Sequence, residues 1–307
     1  MNKKHILSKL NRRLPALVLT IFFLSANLIS SVSAEPYSVP ASFEEPAELS
    51  KSLSVSLEAS ATAYEIIYNG LYQGEASIDI SSFNLTFDDA KELFWKILDE
   101  NPELFYVNKF SSIGSTYVRE IHPVYTMTVS EISQTRILYV SALQSIVKQV
   151  NSEWTDLQKV LYVHDIFALR YQYDTTYTRY SAYELFSERS GVCQAYTSAF
   201  TAVMKELGIP VSRVTSEAMN HTWNIVSVDG KWYHIDVTHD DPVADRLGRV
   251  NHSNFLRSDT GIAETKHYEW TDAANTVMSD TKYDSGYIGS VSSAFVPLNG
   301  KWYCIDP

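Results

Sequence analysis

The 307-residue chain has only two cysteines, Cys193 and Cys304, with 11 glycines and 10 prolines. So few cysteines exclude a scaffold built on disulfides, and the glycine and proline content excludes collagen-like or linker-dominated architectures. After residue 34 no apolar run is long enough to cross a bilayer. Basic charge is also scarce, with 25 Lys and Arg against 36 Asp and Glu, a net of −11. Five of those basic residues (Lys3, Lys4, Lys9, Arg12 and Arg13) lie in the first 34, which contain no acid. The remainder carries 20 basic and 36 acidic side chains, a net of −16. That field repels a phosphate backbone and no basic patch offsets it, so nucleic-acid partners are excluded. No Gly-x-Ser-x-Gly elbow occurs, and a serine hydrolase of that kind is excluded with it.

What is present begins with a leader. The basic residues precede an apolar run from Leu14 to Ile29, and Val32-Ser33-Ala34 closes the segment with small residues where a signal peptidase reads. Residues 1–34 are therefore expected to be a cleaved secretory signal, with no membrane association afterwards and an extracellular location that includes the cell wall. Residues 35–55, rich in Ser, Pro and Glu, read as a flexible lead-in.

From 56 to 128 the pattern predicts a small α+β region. Ala63, Ile66, Ile67 and Leu71 recur at helical spacing, and Thr86 with Asp89 three residues on opens a second helix that Asn101-Pro102 ends. Strands are expected at 103–108 and 118–128. Residues 129–258 then read as the functional domain, and 259–307 as a C-terminal extension that begins a further β-rich module. Helices are expected at 130–151 and 155–171, the second opening at Thr155. His164 within it reads as a helix-surface residue. Another helix is expected at 177–188.

From Cys193 onward Tyr196, Ala199, Phe200, Val203, Met204 and Leu207 mark one helix face, and Gly208 with Pro210 ends it. Strands follow at 211–216, 221–228 and 231–238, the last two joined by an Asp229-Gly230 hairpin signal. In that hairpin, residues whose numbers sum to 459 face each other, so His221 and Asp236 become diagonal neighbours near the open end. Cys193, at the first turn of a helix, has the dipole and free N–H groups that favour a thiolate. A nucleophile, a base and a residue to orient the base are thus available in Cys193, His221 and Asp236. The two cysteines could instead pair with each other, but the surroundings of Cys193 favour a free thiol.

Ser190-Gly191-Val192-Cys193-Gln194-Ala195-Tyr196, His221-Thr222-Trp223-Asn224 and the stretch from Trp232 to Pro242 resemble the three motif blocks of the transglutaminase-like superfamily, of the papain-like cysteine clan. The stretch Asn101-Pro102-Glu103-Leu104-Phe105-Tyr106 resembles the leader region of exported bacterial members. The resemblance covers about 56–258. It implies an α+β fold, with a nucleophile helix packed on an antiparallel sheet, and Cys193 as nucleophile, His221 as general base and acid, and Asp236 as orienter. It also implies acyl transfer on amide bonds through a thioester, ending in cross-linking or hydrolysis of a protein or peptide substrate, with neither cofactor nor metal. One position departs: His239 stands where relatives commonly have Trp, which puts substrate contacts in doubt.

Other readings compete. His234, Asp236, His239, Asp240 and Asp241 are dense in metal-ligand types but match no zinc spacing, and His234 reads as a sheet-surface residue. The Asp-Asp-Pro end suits a capped turn better than a calcium site. The 20 Tyr and 6 Trp could stack on a wall polymer, although large aromatics mainly fill cores. A non-catalytic binding module on the same fold is the alternative to an enzyme. Finally, Gly-Lys-Trp-Tyr-His-Ile-Asp (230–236) returns as Gly-Lys-Trp-Tyr-Cys-Ile-Asp (300–306). The second copy has no His before it and reads as structural.

Overall fold

In the computed structural model, residues 62–241, 243, 250–272, 275–285, 295–298 and 301–304 are described. All belong to one unit, Ser60–Pro307. The expected signal and lead-in lie outside the described residues.

Helix α1 (Ala63–Gln73) and helix α2 (Phe87–Glu100) open on capping boxes at Thr62 and Thr86, where a Glu and an Asp three residues on return the bond. Between them lies the short strand β1 (Ile78–Asp79), which pairs with β3 (Val118–Tyr125). β3 also pairs with β2 (Val107–Gly114), giving the order β1-β3-β2. The strand expected at 103–108 begins later. Pro102–Leu104 form a 3-10 turn, with the proline at its start, where a missing N–H does least harm. Ile67, Leu71, Phe94, Ile97, Tyr106 and Ile121 make the core here.

Helix α3 (Val129–Val147) contributes Ile132 to that core, and Tyr139, Leu143 and Ile146 to a second, larger one. One helix thus serves both sides of the boundary drawn at 128. Helix α4 (Asp156–Arg170) follows, capped by Thr155. Strand β4 (Gln172–Tyr173) then lies parallel to β5 (Ser190–Gly191). Between these strands, helix α5 (Ala182–Glu188) starts five residues later than expected, because Ser181 rather than Tyr177 supplies the cap. Helix α6 (Cys193–Glu206) ends where Gly208 takes φ +71.

The main sheet packs against α6. Its order is β8-β7-β6-β9, from β6 (Val211–Ser216), β7 (His221–Val228), β8 (Lys231–Ile235) and β9 (Thr271–Asp272). The β7–β8 register is the expected one: Asn224 faces Ile235 and Val228 faces Lys231. Asp229 and Gly230 both take positive φ, 51 and 75, as a type I′ turn requires. β8 stops short of the expected end, because Asp236 leaves the strand to cap helix α7 (Val237–Asp240).

Helix α8 (Asp259–Glu264) and β9 extend the same body. Ile262, Met278 and Tyr283 are buried in it, so 259–285 is part of the sheet domain rather than a separate extension. Strands β10 (Phe295–Leu298) and β11 (Lys301–Cys304) pair with each other in a two-stranded sheet, and the second repeat copy supplies β11. Among the described residues no helix is long and apolar enough to cross a membrane.

Candidate active site

The position of Cys193 is set from behind and from the side. Behind it, β5 delivers the chain into α6, and Gly191 is there because space is short. A Cβ at that position would lie 2.6 Å from Ala195 Cβ and 3.0 Å from Leu185 Cδ1. The Val192 N–H donates to Arg179 O at 2.9 Å, tying the preceding loop to the start of the helix. From the side, buried polar groups lock α6 to β7. Thr197 Oγ1 donates to Thr222 O at 3.0 Å, and Asn224 Nδ2 donates to Thr201 Oγ1 at 2.9 Å. These satisfied pairs hold the thiol and the first residues of β7 in one frame.

The three sequence-predicted residues meet there. His221 Nε2 donates to Asp236 Oδ2 at 2.6 Å. The Cys193 thiol is free, and it and His221 lie close enough to shift each other's ionisation. With Nε2 taken by Asp236, Nδ1 is the ring nitrogen left for the sulfur. Asp236 is 1% exposed, whereas Cys193 and His221 are partly accessible.

Burial alone would pull the His221 pKa down, but the Asp236 carboxylate and the sulfur outweigh it and raise it to about 10. Burial likewise opposes ionisation of Cys193, yet the hydrogen bond and charge of His221 bring its pKa below the ordinary value. Asp236 is held far below the carboxylate range, because His221 and two further imidazoles overcome its burial. The two shifts together describe a thiolate–imidazolium pair.

Two more histidines belong to this site. His239 lies flat on His221, with ring centroids 4.3 Å apart and planes 7° apart, and its Nδ1 is 3.2 Å from Asp236 Oδ2. His239, expected to bear on substrate contacts, thus covers one face of the His221 imidazole. Burial keeps the His239 pKa below its usual value. His267, 1% exposed, donates from Nε2 to the same Asp236 oxygen at 2.9 Å, and its Nδ1 lies 3.1 Å from Thr265 Oγ1. The sequence carried no sign of His267, which follows α8 in an irregular segment 31 residues beyond Asp236. The donor atoms of His221, Asp236, His239 and His267 lie within 4.8 Å of one another, close enough to hold a metal ion.

His234 is not part of this group. It is fully buried rather than on the sheet surface, and its Nδ1 accepts from Trp223 Nε1 at 3.0 Å while Nε2 donates to Asp259 at 3.1 Å. His164 is also fully buried, not a helix-surface residue, because Asp165 and Asp240 take both of its nitrogens. Asp236 Oδ1 accepts the His239 N–H at 3.1 Å and so caps α7, while Pro242 of the Asp-Asp-Pro end lies outside the described residues. Asp241 accepts the Tyr196 hydroxyl.

Residues 144–237 match the family described as the transglutaminase-like superfamily. The matched stretch contains Cys193, His221 and Asp236 and reads as a transglutaminase-like domain within the chain. No curated protein matches. Among solved structures, the chain is similar to a TGase at 14% identity and a TM-score of 0.30, with 43% of each chain covered. It is also similar to a candidate cysteine protease from Cytophaga hutchinsonii, at 21% identity and a TM-score of 0.28, with 47% of this chain and 45% of the other covered. The chain thus spans less than half the length of either.

Proposed function

We propose that the protein is an exported cysteine enzyme that transfers acyl groups from amide bonds of a protein or peptide, with Cys193 as nucleophile, His221 as base and acid, and Asp236 as orienter. The observation that supports this best is a single imidazole bonded to a carboxylate at 2.6 Å and coupled to a free thiol beside it. Export rests on the leader pattern of residues 1–34.

The Cys193 thiolate attacks the amide carbon, and the carbonyl electron pair moves onto oxygen. The N–H groups of Cys193 and Gln194, at the start of α6 where helix donors lack an intrahelical partner, are the ones that can receive the developing oxyanion. As the tetrahedral adduct collapses, the C–N bond breaks and His221 Nδ1–H protonates the departing amine. A thioester remains on Cys193. Water or a primary amine then attacks it, with His221 taking the proton, and the thiolate is regenerated. Asp236 keeps the Nε2–H tautomer in place throughout.

Water as acceptor gives hydrolysis, and a lysine side chain gives a cross-link. Tyr173 lies near enough to Cys193 to feel its charge, and the Tyr177 and Tyr180 rings beyond it are exposed, so this rim suits an extended peptide. Incubation with casein and a labelled primary amine separates the outcomes. Label in casein marks transamidation, and new amino termini mark hydrolysis. Neither product, from folded protein with a reactive thiol, would contradict the proposal.

A further inference from the structure

We propose that His164, Asp165 and His252 form a binding site for one divalent transition-metal cation of the zinc type, separate from the thiol site. His164 and Asp165 are adjacent on α4 and buried, at 0% and 1% exposure. Asp165 Oδ1 is 2.8 Å from His164 Nδ1 and 2.8 Å from His252 Nε2. The three donor atoms lie within 4.8 Å of one another. Zinc–ligand bonds of about 2.0–2.2 Å place neighbouring ligand atoms about 3.3 Å apart, so these contacts need to open by only about half an ångström.

An independent feature points to a ligand. Asp165 Oδ2 is buried and has no hydrogen-bond partner, and the same is true of Asn254 Oδ1 nearby. A carboxylate oxygen left unpartnered in a dry interior is costly, whereas a cation on that carboxylate satisfies it. Behind the site, His164 Nε2 donates to Asp240 Oδ2 at 3.1 Å. Asp240 in turn accepts from the Asn254 N–H at 3.1 Å and from Asn254 Nδ2 at 2.9 Å. A carboxylate behind a ligating histidine, itself held by hydrogen bonds, is the usual support of a metal-bound imidazole.

The donor set chooses the class of ion. Two imidazoles and one carboxylate suit zinc, cobalt or nickel, while calcium and magnesium prefer oxygen alone. The His252 side chain is 22% exposed and gives the cation a way in. The ion would also brace the triad loop, because the Asp236 N–H donates to Asn254 O at 3.1 Å and the Asp240 N–H to Asp236 O at 3.2 Å.

The test is zinc binding to the full chain in a Cys193→Ser background, read by competition with a chromophoric chelator and independent of turnover. The expected result is one tightly bound zinc per chain, retained in His239→Phe and weakened at least about 10–100-fold in His252→Gln. Zinc should also raise the melting temperature of the parent but not that of His252→Gln. Should that variant fold poorly, the parent itself serves: zinc is expected to protect His252, but not His122, from diethyl pyrocarbonate. The proposal is overturned by no stoichiometric zinc, by equal affinity in folded His252→Gln, by loss of zinc in His239→Phe, or by unprotected His252.

Discussion

His267 and Asp236 share a hydrogen bond of 2.9 Å in the core, on the same carboxylate oxygen that His221 reaches at 2.6 Å. Asp236 therefore orients one imidazole while being oriented by another. His267→Ala is expected to lower kcat about 10–100-fold with little change in KM. Loss of the second donor also makes the Asp236 anion easier to protonate, so the acid limb of the rate profile should move to higher pH. An unchanged profile with unchanged kcat would reduce His267 to a packing residue.

The ion pair sets a pH window. Cys193 ionises below the ordinary thiol value, and His221 holds its proton up to about 10. Alkylation by iodoacetamide is thus expected to stay fast at pH values below the range of an unperturbed thiol. In His221→Ala the lowering cause is gone while burial remains, so the alkylation profile should shift to alkaline pH. Rates measured across pH for both proteins check this.

His234 works in the opposite direction. Burial holds its pKa down to about 4, and protonation of Nδ1 would break the bond from Trp223. Between that value and the unfolded value near 6.5 the unfolded chain binds more protons, so stability falls as pH drops through this window. The melting temperature is expected to decline from about pH 7 to about pH 4.5, and His234→Gln should flatten the decline. An equally steep decline in the variant would assign the loss to other groups.

Truncation separates the two parts of the C-terminal segment. β9 pairs with β6, Met278 and Tyr283 are buried, and His267 serves Asp236. A chain ending at 258 is expected to lose cooperative unfolding. A chain ending at 285 should keep its thiol reactivity, because β10 and β11 pair with each other. Unfolding of the longer chain would make that hairpin a structural part of the domain.

Local signals made much of this legible in the sequence. Thr86 and Thr155 cap their helices because side-chain and backbone partners lie three residues apart, and Asp229-Gly230 fixes the hairpin register that brings His221 toward Asp236. What escaped depends on tertiary surroundings. A histidine inside a helix or strand has the same local pattern whether it meets water or two aspartates, so His164 and His234 read as surface residues. Asp236 read as strand because aromatic and β-branched residues flank it from Trp232 to Thr238, and its capping role needs the α7 turn that follows. His267 meets Asp236 from 31 residues further along the chain, a contact that no periodicity records.

The central claim is that Cys193 carries the acyl group. Its most direct test is rapid acid quench during turnover of an amide substrate, followed by intact-protein and peptide mass spectrometry. The account predicts an acyl adduct on Cys193, released by hydroxylamine and absent from Cys193→Ala, which should not turn over. Asp236→Asn should form it about 10²–10⁴-fold more slowly. Turnover by Cys193→Ala at the parent rate, or an adduct mapped to another residue, would contradict it.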